Sequence, residues 1–133
     1  MSETAKDESA IRDLIIAWHR AGQAGDNERV LTFMAADAIF LTPGRPPIRG
    51  RQEFAAMQRS MDGRVRFEST VAIQEVLVHG GWAHAWSDLS VTMFPADGNP
   101  PVRRVGPTLS IFRKEPDGSW VLVRDANMLA PEK

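Results

Sequence analysis

The second half of the chain constrains the fold most, because it consists of four strand-like segments separated by turn signals. The motif His-Gly-Gly at residues 79–81 is typical of a tight hairpin turn. A proline-rich loop at 95–101 and the turn Pro-Asp-Gly at 116–118 separate the later segments. The pattern predicts a curved, mainly antiparallel sheet. The four segments are residues 65–78, 82–94, 103–114 and 120–128.

The first half of the chain reads as helices and one short strand. Ile11, Leu14, Ile15 and Trp18 have the spacing of one apolar stripe on an amphipathic helix. Asp26 is predicted to cap a second, shorter helix. The next two elements are a strand at 38–42 and a third helix at 50–61. Helices that precede four long strands define an α+β domain with the order helix-helix-strand-helix-four strands.

The composition limits the classes of function. A chain of 133 residues is long enough for one domain, residues 1–133, with a real core. The net charge of −1 gives no reason to expect nucleic acid or an anionic membrane as partner. The absence of cysteine excludes disulfides, thiolate metal sites and a cysteine nucleophile. The polar N-terminus and the lack of a long apolar run predict a cytoplasmic protein.

The last segment combines apolar and polar residues within one strand. Alternation predicts that Val121, Val123, Asp125 and Asn127 share one face. The opposite face would carry the remaining four residues, and a β-bulge would exchange the two faces from that point onward. A carboxylate and an amide beside valines indicate the polar floor of a pocket. The residues assigned to the opposite face are Trp120, Leu122, Arg124 and Ala126.

Four phrases of the sequence resemble a known family. They are AGD at 24–26, FMAADAIFLTPGRPPIRG at 33–50, GPTLSIFRKEPDGSW at 106–120 and RDANML at 124–129. The chain resembles the nuclear transport factor 2-like, or cystatin-like, superfamily, in its SnoaL-like branch of small bacterial proteins. The resemblance implies a cone-like domain in which the N-terminal helices pack on the concave face of a curved mixed sheet. That fold hosts isomerases, dehydratases, cyclases and non-enzymatic dimers, so activity must be argued from the site.

The resemblance to the ketosteroid isomerases in this superfamily can be tested at three positions. A tyrosine that donates to the developing oxyanion matches Trp18, and the aspartate base matches Thr42. A protonated aspartate of the oxyanion hole matches Ser110. A threonine is no base near neutral pH, and an indole N–H has a different reach. Ketosteroid isomerisation is therefore not expected.

The positions that match that family's steroid cavity predict a pocket for a small-molecule ligand. Its walls are apolar, and a few polar groups converge on it, which is typical of such sites. The pocket residues outside the catalytic set are Trp18, Phe40, Thr42, Met57, Trp86, Ser110 and Val123.

The predicted catalytic residues are His84, Asp88, Asp125 and Asn127. Two buried aspartates would raise one pKa, so that either Asp88 or Asp125 acts as the base and His84 and Asn127 act as donors. The substrate would be a small, largely apolar carbonyl compound that undergoes isomerisation, cyclisation or dehydration. Three alternatives remain open: ligand binding without chemistry, a structural role, and pairing of Asp125 with an arginine on a neighbouring strand.

The sequence also leads to expectations about oligomeric state and cofactors. The convex face of the sheet has no helix to cover it, and alternation places Leu109 there with Trp120 and Leu122. An uncovered apolar face predicts a homodimer through this surface. No cofactor is expected, and the three histidines lack the spacing of a metal site.

Overall fold

The structure, a computed structural model, describes residues 2–132. This part of the chain contains three helices and seven strands. None of the described helices is long and apolar enough to cross a membrane. The helices are α1 (Glu3–Gln23), α2 (Asn27–Thr32) and α3 (Gly50–Met61). The strands are β1 (Met34–Leu41), β2 (Ile48–Arg49), β3 (Val65–His79), β4 (Trp82–Pro95), β5 (Val102–Lys114), β6 (Trp120–Asn127) and β7 (Ala130–Pro131).

The strands form one curved mixed sheet in the order β2-β1-β6-β5-β4-β3. The four long strands pair antiparallel in sequence order, as predicted, and β1 lies parallel to β6. The α+β class and the helix-helix-strand-helix-four-strand order are therefore confirmed. Two short strands were not predicted: β2 pairs with β1, and β7 pairs with β5 beyond the end of β6.

Side-chain caps explain where the first two helices begin. The Ser2 hydroxyl accepts a hydrogen bond from the Ala5 N–H at 3.1 Å. The Asp26 carboxylate accepts one from the Arg29 N–H at 3.2 Å, which confirms the predicted cap of the second helix. The α2 helix is short because the chain is already extended at Met34, so β1 begins earlier than predicted.

The core lies between the helices and one face of the sheet, which we call the inner face. Ile11 of α1, Phe112 of β5 and Leu122 of β6 are among its most buried side chains. In β4 the residues on this face are small: Ala83 and Ala85 are buried. Burial of these apolar side chains is the main force that holds the helices on the sheet.

A β-bulge in β6 decides which side chains face inward. Phe112 is paired with Leu122 and Ile111 with Arg124, so Val123 is an extra residue with no partner on β5. Because of this extra residue, Leu122 and Asp125 both face inward although three positions separate them. The prediction that Val121 shares a face with Asp125 is wrong for the same reason.

The predicted orientation of β4 is also wrong, although His84, Trp86 and Asp88 share one face as predicted. Ala83, Ala85 and Ser87 are buried on the inner face, whereas Trp82 and Trp86 are 50% and 38% exposed. The even-numbered side chains of this strand therefore point to the opposite face of the sheet, which we call the outer face. Leu109 lies there as predicted, but Trp120 and Leu122 belong to the core.

A partly buried ion pair between Asp7 and Lys114 joins the beginning of α1 to the sheet. The Asp7 carboxylate accepts a hydrogen bond from the Trp120 indole N–H at 3.0 Å and lies 3.1 Å from the Lys114 ammonium. The Trp120 hydrogen bond, and then Lys114, hold the pKa of Asp7 below its usual value. Asp7 therefore joins α1 to both β5 and β6.

We expect Phe112→Ala to lower the free energy of unfolding by about 3–5 kcal/mol, since a fully buried ring is replaced by a cavity. Val102→Ala is the control, because Val102 is 39% exposed. Urea denaturation of both variants measures the difference. A loss below about 1 kcal/mol for Phe112→Ala would contradict this description of the core.

Candidate functional site

A small cavity of about 100 Å³ lies between α1 and the inner face of the sheet. Its walls are mainly apolar and hydroxyl-bearing side chains, and it contains one carboxylate and one imidazole. The α1 helix forms one side, and four strands form the other. The lining residues are Ile15, Trp18, His19, Val71, Ser87, Leu89, Thr108, Ser110 and Asp125.

Asp125 supplies the carboxylate of this cavity, and two hydroxyls on β5 hold one of its oxygens. The Ser110 hydroxyl donates to Asp125 Oδ1 at 2.6 Å, and Thr108 Oγ1 lies 3.4 Å from the same atom. Within residues 2–132 no protein group donates to Oδ2. The arrangement orients the carboxylate and leaves Oδ2 available to whatever occupies the cavity.

Burial changes the acidity of this carboxyl group. It raises the pKa of Asp125 to about 6, because the charged form loses hydration. The hydrogen bonds from Ser110 and Thr108 act in the opposite direction, since they stabilise the carboxylate. A carboxyl group with a pKa near 6 is mostly ionised at neutral pH and still basic enough to take a proton.

His19 brings an imidazole to the same cavity from α1. Its Nδ1 lies 3.1 Å from the Ser69 hydroxyl on β3. Burial lowers the pKa of His19 to about 4, so the ring is neutral at physiological pH. A neutral imidazole offers the cavity a hydrogen-bonding nitrogen without adding a charge.

A larger cavity of about 420 Å³ lies beside the first, between the C-terminal end of α1, the other two helices and the beginning of β3. Its walls include Phe54, Met57, Met61 and Phe67. We call it the helical chamber. Its volume lies in the range typical of small-molecule sites, about 300–1,000 Å³.

Trp18 lines both cavities and is the one residue they share. Its ring packs edge-on against Phe40 at a centroid distance of 6.3 Å. Phe40 in turn packs on Phe54 at 4.6 Å. Trp18 and Phe54, which both line the helical chamber, are therefore joined through Phe40.

The structure brings together some of the residues predicted for the pocket. Trp18, Ser110 and Asp125 line the small cavity, and Met57 lines the helical chamber. Phe40 is buried behind Trp18. Val123 is buried at the bulge and lines neither cavity.

Three other predicted site residues lie on the outer face, away from Asp125. Trp86 is exposed there. His84 lies 3.3 Å from a ring nitrogen of His79 and 3.8 Å from the Glu75 carboxylate. Asp88 accepts a hydrogen bond from the side chain of Gln74 at 3.1 Å. These residues do not form a shared site with Asp125, because the face of β4 that carries them points away from the cavity.

Thr42 and Asn127 meet each other rather than the cavity. The Asn127 amide nitrogen lies 3.5 Å from the Thr42 hydroxyl. Its oxygen accepts a hydrogen bond from the Leu129 N–H at 3.3 Å. Both contacts are those of a residue that ends a strand, and neither residue lines the two cavities.

The sequence prediction missed His19, Ser87 and Thr108. A helical signal for His19 was present, because it follows Ile15 by four residues and so lies on the same stripe. Thr108 precedes Ser110 by two residues and therefore shares its face. Ser87 is buried in β4 together with Ala83 and Ala85, and it lies on the same face because it alternates with them.

The comparisons identify the family. The SnoaL-like domain model matches residues 3–124, which is most of the chain. The protein therefore belongs to the SnoaL-like family of the nuclear transport factor 2-like superfamily, as the sequence phrases predicted. No curated protein matches the chain.

Solved structures extend the family assignment. A conserved protein from Planctomyces limnophilus is 34% identical, with a TM-score of 0.90 over 96% of this chain and 99% of its own. A ketosteroid isomerase-like protein from Erwinia carotovora atroseptica is 25% identical, with a TM-score of 0.80 over 92% and 96% of the two chains. A nuclear transport factor 2-like protein from Salmonella enterica shares the fold. It is 19% identical, with a TM-score of 0.82 over 98% of this chain and 94% of its own.

We expect Asp125→Asn to change the pH dependence of stability with a defined sign. The pKa of Asp125 is raised from 3.8 to about 6, so the protein loses on the order of 3 kcal/mol of stability as pH rises through this interval. Asparagine has no charge to desolvate. The variant should therefore gain on the order of 3 kcal/mol relative to the original protein between pH 4 and pH 8.

Urea unfolding at a series of pH values measures this difference. The lowered pKa of His19 has the opposite effect on the pH dependence of stability. Its contribution to stability is complete above pH 6.5 and is lost as pH falls toward about 4. The Asp125→Asn variant should still lose this His19 contribution to stability at low pH. A difference between the two proteins that stays constant from pH 4 to pH 8 would contradict the burial of the Asp125 carboxyl group.

Proposed function

We propose that this protein is an enzyme that moves a proton on a small, largely apolar carbonyl compound, with Asp125 as the base. The observation that carries the proposal is the Asp125 carboxyl group itself. It lies in a small cavity, its Oδ1 is held by hydroxyls, and burial raises its pKa to about 6. Perturbed acidity in a cleft is a frequent property of catalytic groups.

The proposed step is removal of a proton from the carbon next to a carbonyl group. Asp125 Oδ2 takes the proton, and the electron pair of the C–H bond becomes part of an enolate. The acid form of Asp125 then gives up the proton it took. Delivery to another carbon of an unsaturated enolate gives isomerisation. Delivery to the alkoxide formed when the enolate attacks a second carbonyl gives cyclisation, and delivery to a departing hydroxyl group, which leaves as water, gives dehydration.

The environment of the carboxylate supports this chemistry. Ile15, Val71 and Leu89 give the small cavity apolar walls, and a carboxylate in apolar surroundings is a stronger base than one in water. Neutral His19 supplies a hydrogen-bonding group on the side of α1. Hydrogen bonds to the carbonyl oxygen stabilise the charge that develops in an enolate.

The similarity to an isomerase-like protein supports the same reaction class. The Erwinia protein is 25% identical to this chain and is described as ketosteroid isomerase-like. The residue that matches the ketosteroid isomerase base is Thr42, which here contacts Asn127. The proposed base is therefore on a different strand, and the proposed substrate is not a steroid.

A second candidate function is ligand binding without chemistry. It is favoured by the size of the helical chamber, which is about four times the volume of the cavity that contains Asp125. A binding protein needs such a chamber but no base. The two functions differ in whether Asp125 is required for turnover or only influences affinity.

We expect Asp125→Asn to lower catalysed proton exchange by about 10²–10⁴-fold, the range for a lost general base. The assay follows deuterium incorporation next to the carbonyl of 4-phenylbutan-2-one in D₂O by NMR. In the original protein the rate should rise with pH through a midpoint near 6, because the base must be ionised.

Asp88→Asn is the matched control, since it removes a carboxylate from the outer face of the same sheet. Its exchange rate should equal that of the original protein. A protein that catalyses no exchange, or one in which only Asp88→Asn is inactive, would contradict Asp125 as the base. Circular dichroism of each variant tests that the fold is intact.

We also propose that two copies of the chain associate through the outer face. Trp86 and Leu109 are direct cross-strand neighbours there, and Leu77 and Trp82 lie on the adjoining positions of β3 and β4. All four side chains are exposed in the single chain. Large apolar side chains that adjoin on an uncovered sheet face are typical of interfaces.

Light scattering at micromolar concentration tests this proposal, and we expect the mass of a dimer. Trp86→Glu should give a monomer, because a charge would be buried between the two sheets. Ile16→Glu is the control, since Ile16 is an exposed apolar residue on α1 rather than on the sheet. A monomeric mass for the original protein would exclude the dimer.

A further inference from the structure

We propose that the helical chamber is a second binding compartment of the same site, which holds an apolar ring or chain of the substrate while a short ketone arm reaches Asp125 past Trp18. The inference rests on the proposed function for the ketone arm alone. The chamber itself is inferred from its walls and from the wall that it shares with the small cavity.

The two volumes imply a substrate with two unequal parts. The cavity of about 100 Å³ is well below the usual volume of a ligand site, about 300–1,000 Å³, so it accepts only a small group. The chamber of about 420 Å³ accepts a body several times larger. A carbonyl compound that fits the cavity alone would leave the chamber unused.

The lining of the chamber selects an apolar body. Three of its polar side chains, those of Gln23, Gln58 and Arg66, are already engaged. The Gln58 amide donates to the Asn27 backbone carbonyl at 3.3 Å, and the Gln23 side chain accepts from the Ser69 N–H at 3.2 Å. Arg66 stacks on Phe94 and pairs with a neighbouring glutamate. The surface left for a ligand is therefore mainly aromatic and methionine side chains.

Trp18 lies in the wall that the two compartments share. Its ring forms part of both walls, and it is held by its edge-on contact with Phe40. His19, the next residue along α1, faces the small cavity and lies 5.6 Å from Trp18 between ring centroids. A substrate that spans both compartments would contact Trp18 at the junction between its body and its arm.

Gly22 provides a way to fill the chamber without disturbing the small cavity. It lines the chamber one helical turn after Trp18, and a Cβ built at this position meets no atom within 4 Å. Its backbone is helical, so other residues are tolerated there. Gly22→Leu would place a branched side chain in the chamber, whereas Gly22→Ala would add a single methyl group.

The experiment uses 4-phenylbutan-2-one, which has a ring and a ketone arm, and acetone, which has the arm alone. Methionine methyl groups labelled with ¹³C report on the chamber through Met57 and Met61, and exposed Met128 is the internal control. We expect the two-part ketone to shift Met57, Met61 and the Asp125 carboxyl signal together. Acetone should shift the Asp125 signal alone.

The two glycine variants then test the chamber. Gly22→Leu should weaken binding of the two-part ketone at least about tenfold, and Gly22→Ala by less than about threefold, with the acetone shift of Asp125 unchanged in both. Equal affinity of Gly22→Leu and the original protein would overturn the proposal. So would bound ketone that leaves Met57 and Met61 unshifted.

Failure of this inference is distinguishable from failure of the proposed function. Ketone binding that shifts Met57 and Met61 without catalysed deuterium exchange supports the chamber and excludes the enzyme. Catalysed exchange of the ketone with unshifted methionines supports Asp125 as base and excludes the chamber.

Discussion

The single extra residue at Val123 is the constraint on which the site depends. Before the bulge, Trp120 and Leu122 face the helices and complete the core; after it, Asp125 faces the same way and enters the cavity. A regular strand would satisfy only one of these requirements, because alternation would turn either the core residues or the carboxylate toward the outer face. One irregular backbone position therefore lets a single strand contribute to both the apolar core and the polar site.

The inner face of β4 carries small side chains. Ala83, Ala85 and Ser87 lie on this face, and the large Trp82 and Trp86 lie on the outer face. This reverses the usual expectation that aromatic residues mark the buried side of a strand. The same small side chains leave the space in which the Asp125 cavity forms.

The order of elements and the class of fold could be predicted from turn signals and periodicity, since both are local properties of the sequence. The sequence predicted that Asp125 and Ser110 line the same pocket, but not that they contact each other. The position of Val123 could not be predicted, because a bulge depends on the pairing of two strands rather than on either one. His19 was overlooked because a histidine on a helix acquires its environment only from the strand that the helix covers.

The buried carboxylate of Asp125 also affects which substitutions selection would favour at this position during evolution. A charge that opposes folding is removed by the exchange of aspartate for asparagine, which a single nucleotide change in the codon produces. In a lineage that no longer uses the cavity, selection for stability alone would favour that exchange at Asp125. A gene that keeps aspartate here over long divergence therefore records continued use of the site, independently of any assay.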